Sequence, residues 1–172
     1  MMTRLCLIVL AATGLALSPV RAQSDAGAEA LLAYDCGSRD EADAFRATAL
    51  SLGADAERAF LAALRDGAPA PMRAAAEKRL AAQYDALANM LADEGAALAR
   101  AMEEGGPALP AREAFIADGL KRLDTRAREN AVRGLGAIGG SDAAAAIRKA
   151  AEGDADLRLL ADAALNEMSA RQ

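Results

Sequence analysis

Residues 124–139 read DTRARENAVRGLGAIG, and thirty residues further on 154–168 read DADLRLLADAALNEM. Asp124, Arg128, Ala131, Leu135 and Ile138 of the first stretch recur as Asp154, Arg158, Ala161, Leu165 and Met168 of the second. Apolar side chains at spacings of three and four lie along one face of a 3.6-residue period, so each stretch predicts one amphipathic helix, over 125–137 and 155–168. An acid stands in the N-cap position before each of them. Helical units repeated at a fixed period cannot bury their apolar faces singly and stack on their neighbours. The expected fold class is therefore all-α, a short α-solenoid of helix-turn-helix repeats.

The pattern extends towards the N-terminus. Arg73, Ala76 and Leu80 reproduce the Arg, +3 Ala, +7 Leu core, and a shorter helix around Phe60 and Leu64 precedes them, ended by Gly67 and the Pro69/Pro71 pair. Ile147 to Ala151 stands in the same relation to Gly153 and Asp154. The unit is helix, glycine-containing turn, helix, with pairs at 55–83 and 141–168.

The run from Asp124 to Gly139 resembles the second helix and exit of the short HEAT-like repeats described in phycobilisome lyases, D-x-x-x-R-x-x-A-x-x-x-L-G-x-I-G, within the HEAT-repeat superfamily. The resemblance covers 124–168, extends to 55–83, and lapses over 84–123. It implies that Asp124, Arg128, Asp154 and Arg158 form an architectural ladder between repeats. Solenoids of this kind mostly bind other macromolecules, so it also implies a binding scaffold.

The N-terminus carries a different signal. Arg4 supplies a positive start, Leu5 to Leu17 an apolar run broken only by Thr13 and Gly14, and Val20-Arg21-Ala22 small residues at −3 and −1 of a cleavage site. This is the pattern of a secretory signal peptide over 1–22. An apolar run of about 13 residues is too short to span a bilayer, which takes about 20. The expected mature chain is a single domain, 23–172, beginning near Gln23, secreted or periplasmic, with no transmembrane segment after cleavage. The whole chain has a net charge of −5. Loss of Arg4 and Arg21 makes the mature protein more acidic still.

Between these landmarks, Ser38 and Glu41 have capping-box spacing ahead of a helix with Phe45, Ala49 and Leu52 on its stripe, and Gly53 closes it. Asp55 is placed to cap the next. From Met72 the stripe continues through Leu80, Leu87 and Leu91 to Met102 without a strong stop, as one helix or two, until a Pro/Gly-rich linker near 105–110. Pro110 suits the first position of the following helix. The expected core includes Phe45, Phe60, Leu64, Leu80, Leu87, Phe115, Leu135, Ile147 and Leu165.

Catalytic chemistry finds little to work with. The chain has no histidine, which removes the commonest general base and metal ligand. Cys36, alone after signal cleavage, makes neither a structural zinc site nor an internal disulfide. No serine sits in a Gly-x-Ser-x-Gly elbow or a Ser-x-x-Lys spacing. Acid pairs such as Glu103/Glu104 and Asp154/Asp156 suit helix ends, and the latter lacks the remaining ligands of a calcium loop. No catalytic, cofactor-binding or metal residue is assigned, no cofactor is expected, and the protein is read as non-enzymatic. One basic cluster, Lys121, Arg122, Arg126, Arg128 and Arg133, lies in an acidic chain without aromatics beside it, so nucleic acid is not an expected partner.

The expected function is an exported, non-enzymatic scaffold or adaptor that binds a protein or peptide along a groove formed by the second helices. Opposite the apolar stripes of those helices stand Glu77, Asn130, Arg133, Asp162 and Asn166, mixed amides and charges that suit hydrogen-bonded recognition. The alternative is a periplasmic helical accessory subunit or chaperone whose contact surface is 84–104. An exposed apolar stripe there would favour it.

Overall fold

The computed structural model describes residues 26–93 and 109–171. The signal segment, the proposed cleavage site and most of the 105–110 linker lie outside the described residues. Among the described residues seven stretches are helical and none is a strand. They are α1 (residues 26–32), α2 (Arg39–Leu52), α3 (Ala54–Asp66), α4 (Ala70–Asp93), α5 (Arg112–Ile138), α6 (Ser141–Gly153) and α7 (Ala155–Ala170). No described helix is long and apolar enough to cross a membrane.

Local chemistry sets most of the boundaries. Ser38 Oγ accepts from the Glu41 amide at 3.3 Å and Glu41 Oε2 accepts from the Ser38 amide at 2.7 Å, a complete capping box that starts α2. Gly53 ends α2 and also precedes α3, so a single residue with φ of 56° turns the chain from one helix to the next. That left-handed φ suits glycine and displaces Asp55 from the expected cap; Asp55 instead pairs with Arg58 at 2.6 Å. Asp154 does cap α7, accepting from the Asp156 amide at 3.0 Å. The stripe beginning at Met72 is one helix as far as Asp93.

The helix expected to begin at 125 does not. α5 is continuous from Arg112 to Ile138, because no proline or left-handed glycine interrupts it, and Asp124 sits in its interior. Its carboxylate is free of capping duty and reaches the α3–α4 turn, where Oδ1 accepts from the Ala68 amide at 3.1 Å and Oδ2 binds the Arg73 guanidinium. Gly67 makes this approach possible. Its φ is 82°, and a Cβ there would stand 2.8 Å from Asp124 Oδ1. Pro110 lies ahead of α5, whose N-cap is Ala111, rather than in its first turn.

α5 is the helix on which the rest assembles. It touches α2, α3, α4, α6 and α7, while α6 packs on α7 and α3 on both α2 and α6. The core follows α5: Ala127, Ala131, Val132, Leu135 and Ala137 meet Phe45 and Ala49 of α2, Phe60 and Leu64 of α3, Ile147 of α6, and Leu157, Ala161 and Met168 of α7. The expected core residues Phe45, Phe60, Leu64, Leu80, Leu135 and Ile147 are buried. Phe115 and Leu165 are half-buried. Leu87 is exposed, for a reason of register given below.

Three glycines within α5, Gly119, Gly134 and Gly136, are packing notches rather than turn residues. A Cβ on Gly134 would come within 2.3 Å of Cε2 of the Phe60 ring, and one on Gly136 within 2.8 Å of Ala164 Cβ. In a solvated helix Gly→Ala gains about 1 kcal/mol. Here overpacking against Phe60 opposes that gain and costs about 1 to 3 kcal/mol. Gly134→Ala is therefore expected to lower the denaturation midpoint. A midpoint that rises would show that α3 and α5 are not in this close contact.

Candidate functional site

The proposed groove residues do not share one surface. Asn130 is fully buried and cannot meet a partner, which corrects its assignment to a binding face. Its Nδ2 group lies 3.1, 3.2 and 2.7 Å from the carbonyl oxygens of Leu31, Leu32 and Tyr34, donating to the end of α1. The terminal carbonyls of a helix lack intrahelical partners, and here a side chain from a distant helix supplies the donor. The amide is in turn fixed by Arg133, which donates to Asn130 Oδ1 at 2.8 Å. The apolar spacing around Ala131 places Asn130 off the stripe; α1 then covers it, a contact that helical periodicity does not encode.

Arg133 is half-buried and lines a cleft of about 260 Å³ between α2, α5 and α7, together with Asp43, Arg46 and Glu167. Arg46 and Glu167 form an ion pair across it, so the cleft is partly closed by the N-terminal helices. Asp162 lines a different recess, with Arg148, Glu152 and Arg158 between α6 and α7, and Asn166 is exposed further along α7. Glu77 is exposed on α4. The structure thus joins Asn130 to Arg133, leaves Glu77 exposed on α4, and leaves Asp162 and Asn166 exposed one turn apart on α7.

The ladder residues divide similarly. Asp124 pairs with Arg73, the arginine of the preceding unit, and the carboxylate raises that guanidinium above its ordinary range, through their hydrogen bond first and their charges second. Asp154 is a cap. Arg158 is exposed, and Arg128 is half-buried with its Nε lacking a partner among the described residues. Cys36, half-buried beside Asn130, has its thiol pushed up by burial, a shift that Arg133 opposes and that Asp35 and Glu41 reinforce. Such a thiol stays protonated at neutral pH and is a poor nucleophile. Among the described residues no three His, Cys, Asp or Glu side chains are grouped to hold a metal ion.

Among the described residues, an exposed apolar surface lies at the end of α4. α4 and α5 run antiparallel: Leu80 packs on Gly119, the Tyr84 ring lies 5.6 Å from that of Phe115, and Arg112 binds Asp85 at 3.1 Å. Tyr84 also donates its hydroxyl to the Pro110 carbonyl at 3.0 Å. One turn later α4 has run past Arg112, where α5 begins. Leu87 and Met90 are consequently 37% and 49% exposed, and Leu91 is half-buried beside them. Their spacing of three and four puts all three on one face. The sequence stripe places Leu87 in the core with Leu80; among the described residues α5 begins too late in its antiparallel register to cover the later turns, and Leu87 is exposed. Residues 94–104 of the same stretch lie outside the described residues.

No known protein family, no characterised protein and no solved structure matches this chain. The class that the fold defines is an all-helical protein, and its own surfaces carry the functional reading.

Proposed function

We propose that this chain is an exported, non-enzymatic helical binding protein, built of short HEAT-like units, that engages a protein partner through the end of α4. The observation that carries this reading is the apolar stripe beyond the start of α5, where Leu87 and Met90 are exposed and Leu91 is half-buried among the described residues. Large apolar side chains grouped on one face are characteristic of contact surfaces, whereas an isolated one is ordinary. The scaffold part of the reading is supported by the packed α6–α7 hairpin, by the helix–turn–helix order of α3 and α4, which pack chiefly on α5 rather than on each other, and by the Arg73–Asp124 pair, which links the arginine position of one unit to the acid position of the next. Export is supported by the pattern of residues 1–22.

This is the accessory-helix reading, and it takes precedence over the groove because Asn130 serves α1 and Arg133 serves Asn130. Replacing Leu87 and Met90 together by Asp is expected to weaken capture of the native partner at least tenfold, about 1.4 kcal/mol, with little change in melting temperature because both side chains are already exposed. Arg133→Glu with Asp162→Lys tests the groove. Loss of capture with that pair, and none with the Leu87 and Met90 pair, would return the contact to the second-helix face.

A further inference from the structure

Two further surface features are opposite in charge, and each has an apolar centre. Leu159, on the outer face of α7, is 84% exposed, more than the other exposed large apolar residues among those described. Asp156 and Asp162, three residues to either side, are exposed on the same face, so the leucine stands between two carboxylates. Elsewhere, α3 and α6 enclose an apolar cleft of about 430 Å³ whose floor is Leu61, Leu64, Ala146 and Ala150 and whose rim carries Arg65 and Lys149. Arg65 shares its charge with Asp66 at 2.7 Å, while Lys149 makes no ion pair among the described residues. An apolar knob flanked by two acids thus has its counterpart in an apolar cleft flanked by two cations.

We propose that the α3–α6 cleft receives α7 of a second copy of this chain, with Leu159 in the cleft and Asp156 and Asp162 against Lys149 and Arg65. Knob and cleft are different surfaces of one molecule, so the contact closes as a two-fold pair when each copy's knob enters the other's cleft, and otherwise continues head to tail until it closes into a ring. The rim cations and the carboxylates on either side of Leu159 are opposite in sign, and this complementarity, together with the apolar floor for the leucine, favours this occupant. The contact is separate from the end of α4 and does not depend on the partner that binds there.

Sedimentation velocity of the purified protein across a wide concentration range, in low and in high salt, tests this. The expected result is reversible self-association that salt weakens. Leu159→Asp and Lys149→Glu should each weaken it about tenfold or more, and Lys149→Glu combined with Asp156→Lys should recover it by restoring an opposite-charge pair. All these side chains are exposed, so unchanged melting curves are expected to accompany the loss. A single monomeric species at every concentration would overturn the proposal and assign the cleft another occupant or none. Association that survives Leu159→Asp would overturn it as well, by placing the contact elsewhere.

Discussion

Asn130→Asp is expected to destabilise the protein by about 3 to 5 kcal/mol at neutral pH, although the two side chains have almost the same shape. The amide nitrogen that the carboxylate replaces lies 2.7 to 3.2 Å from three carbonyl oxygens, in a fully buried position. An oxygen there repels all three and leaves the end of α1 without its donor. Arg133 can bind the other carboxylate oxygen and offsets part of the loss, but it cannot reverse the mismatch with the carbonyls. The pH dependence follows from the same geometry. Burial against carbonyls raises the folded-state pKa of the new carboxyl above its unfolded value, and a protonated carboxyl can donate to one of the carbonyls. The variant therefore recovers stability at acidic pH and loses it as pH rises through the folded pKa. Urea unfolding of both proteins at several pH values measures this. Equal stability at neutral pH would mean that Asn130 does not hold α1.

The second large effect belongs to Phe60→Ala, expected to cost about 3 to 5 kcal/mol. The ring is fully buried between α3 and α5, lies 6.3 Å from that of Phe45, and occupies the notch left by Gly134. A cavity at this site is flanked by α5 backbone, which is held by contacts with five other helices and cannot readily move in to fill it. Leu135→Ala, at another fully buried position on α5, should cost about 2 to 5 kcal/mol. Chemical denaturation followed by circular dichroism checks both, and a loss below about 1 kcal/mol for Phe60→Ala would remove it from the centre of the core.

Much of the helical layout was legible because its signals are local. Ser38 and Glu41 announce α2, Gly53 and Gly67 end helices by a backbone conformation that glycine adopts freely, and the apolar spacing places Phe45, Phe60 and Leu135 on buried faces. The misreadings concern partners distant in sequence. Asp124 looks like an N-cap acid because it precedes an apolar-periodic run, yet the residues before it are equally helical and its partners are Ala68 and Arg73 in another turn. Asn130 looks exposed because it stands off the stripe of α5, and is buried by a helix a hundred or so residues earlier in the chain. Leu87 continues a stripe that is buried at Leu80, and only the point at which α5 begins determines where that burial stops. Gly136 matches the first glycine of the repeat exit in the sequence motif, whereas in the structure it admits Ala164, and Gly134, outside the motif, admits Phe60.

The proposed contact of this helical protein with a partner lies at the end of α4. Its most direct test is site-specific photocrosslinking in the native cells, with a photoreactive amino acid placed singly at position 87, 90, 133 or 162. The account predicts a discrete crosslinked protein from positions 87 and 90, the same one from both, and none of that size from 133 or 162. A discrete product from 133 and 162 with none from 87 or 90 would contradict it and place the contact along the second helices instead.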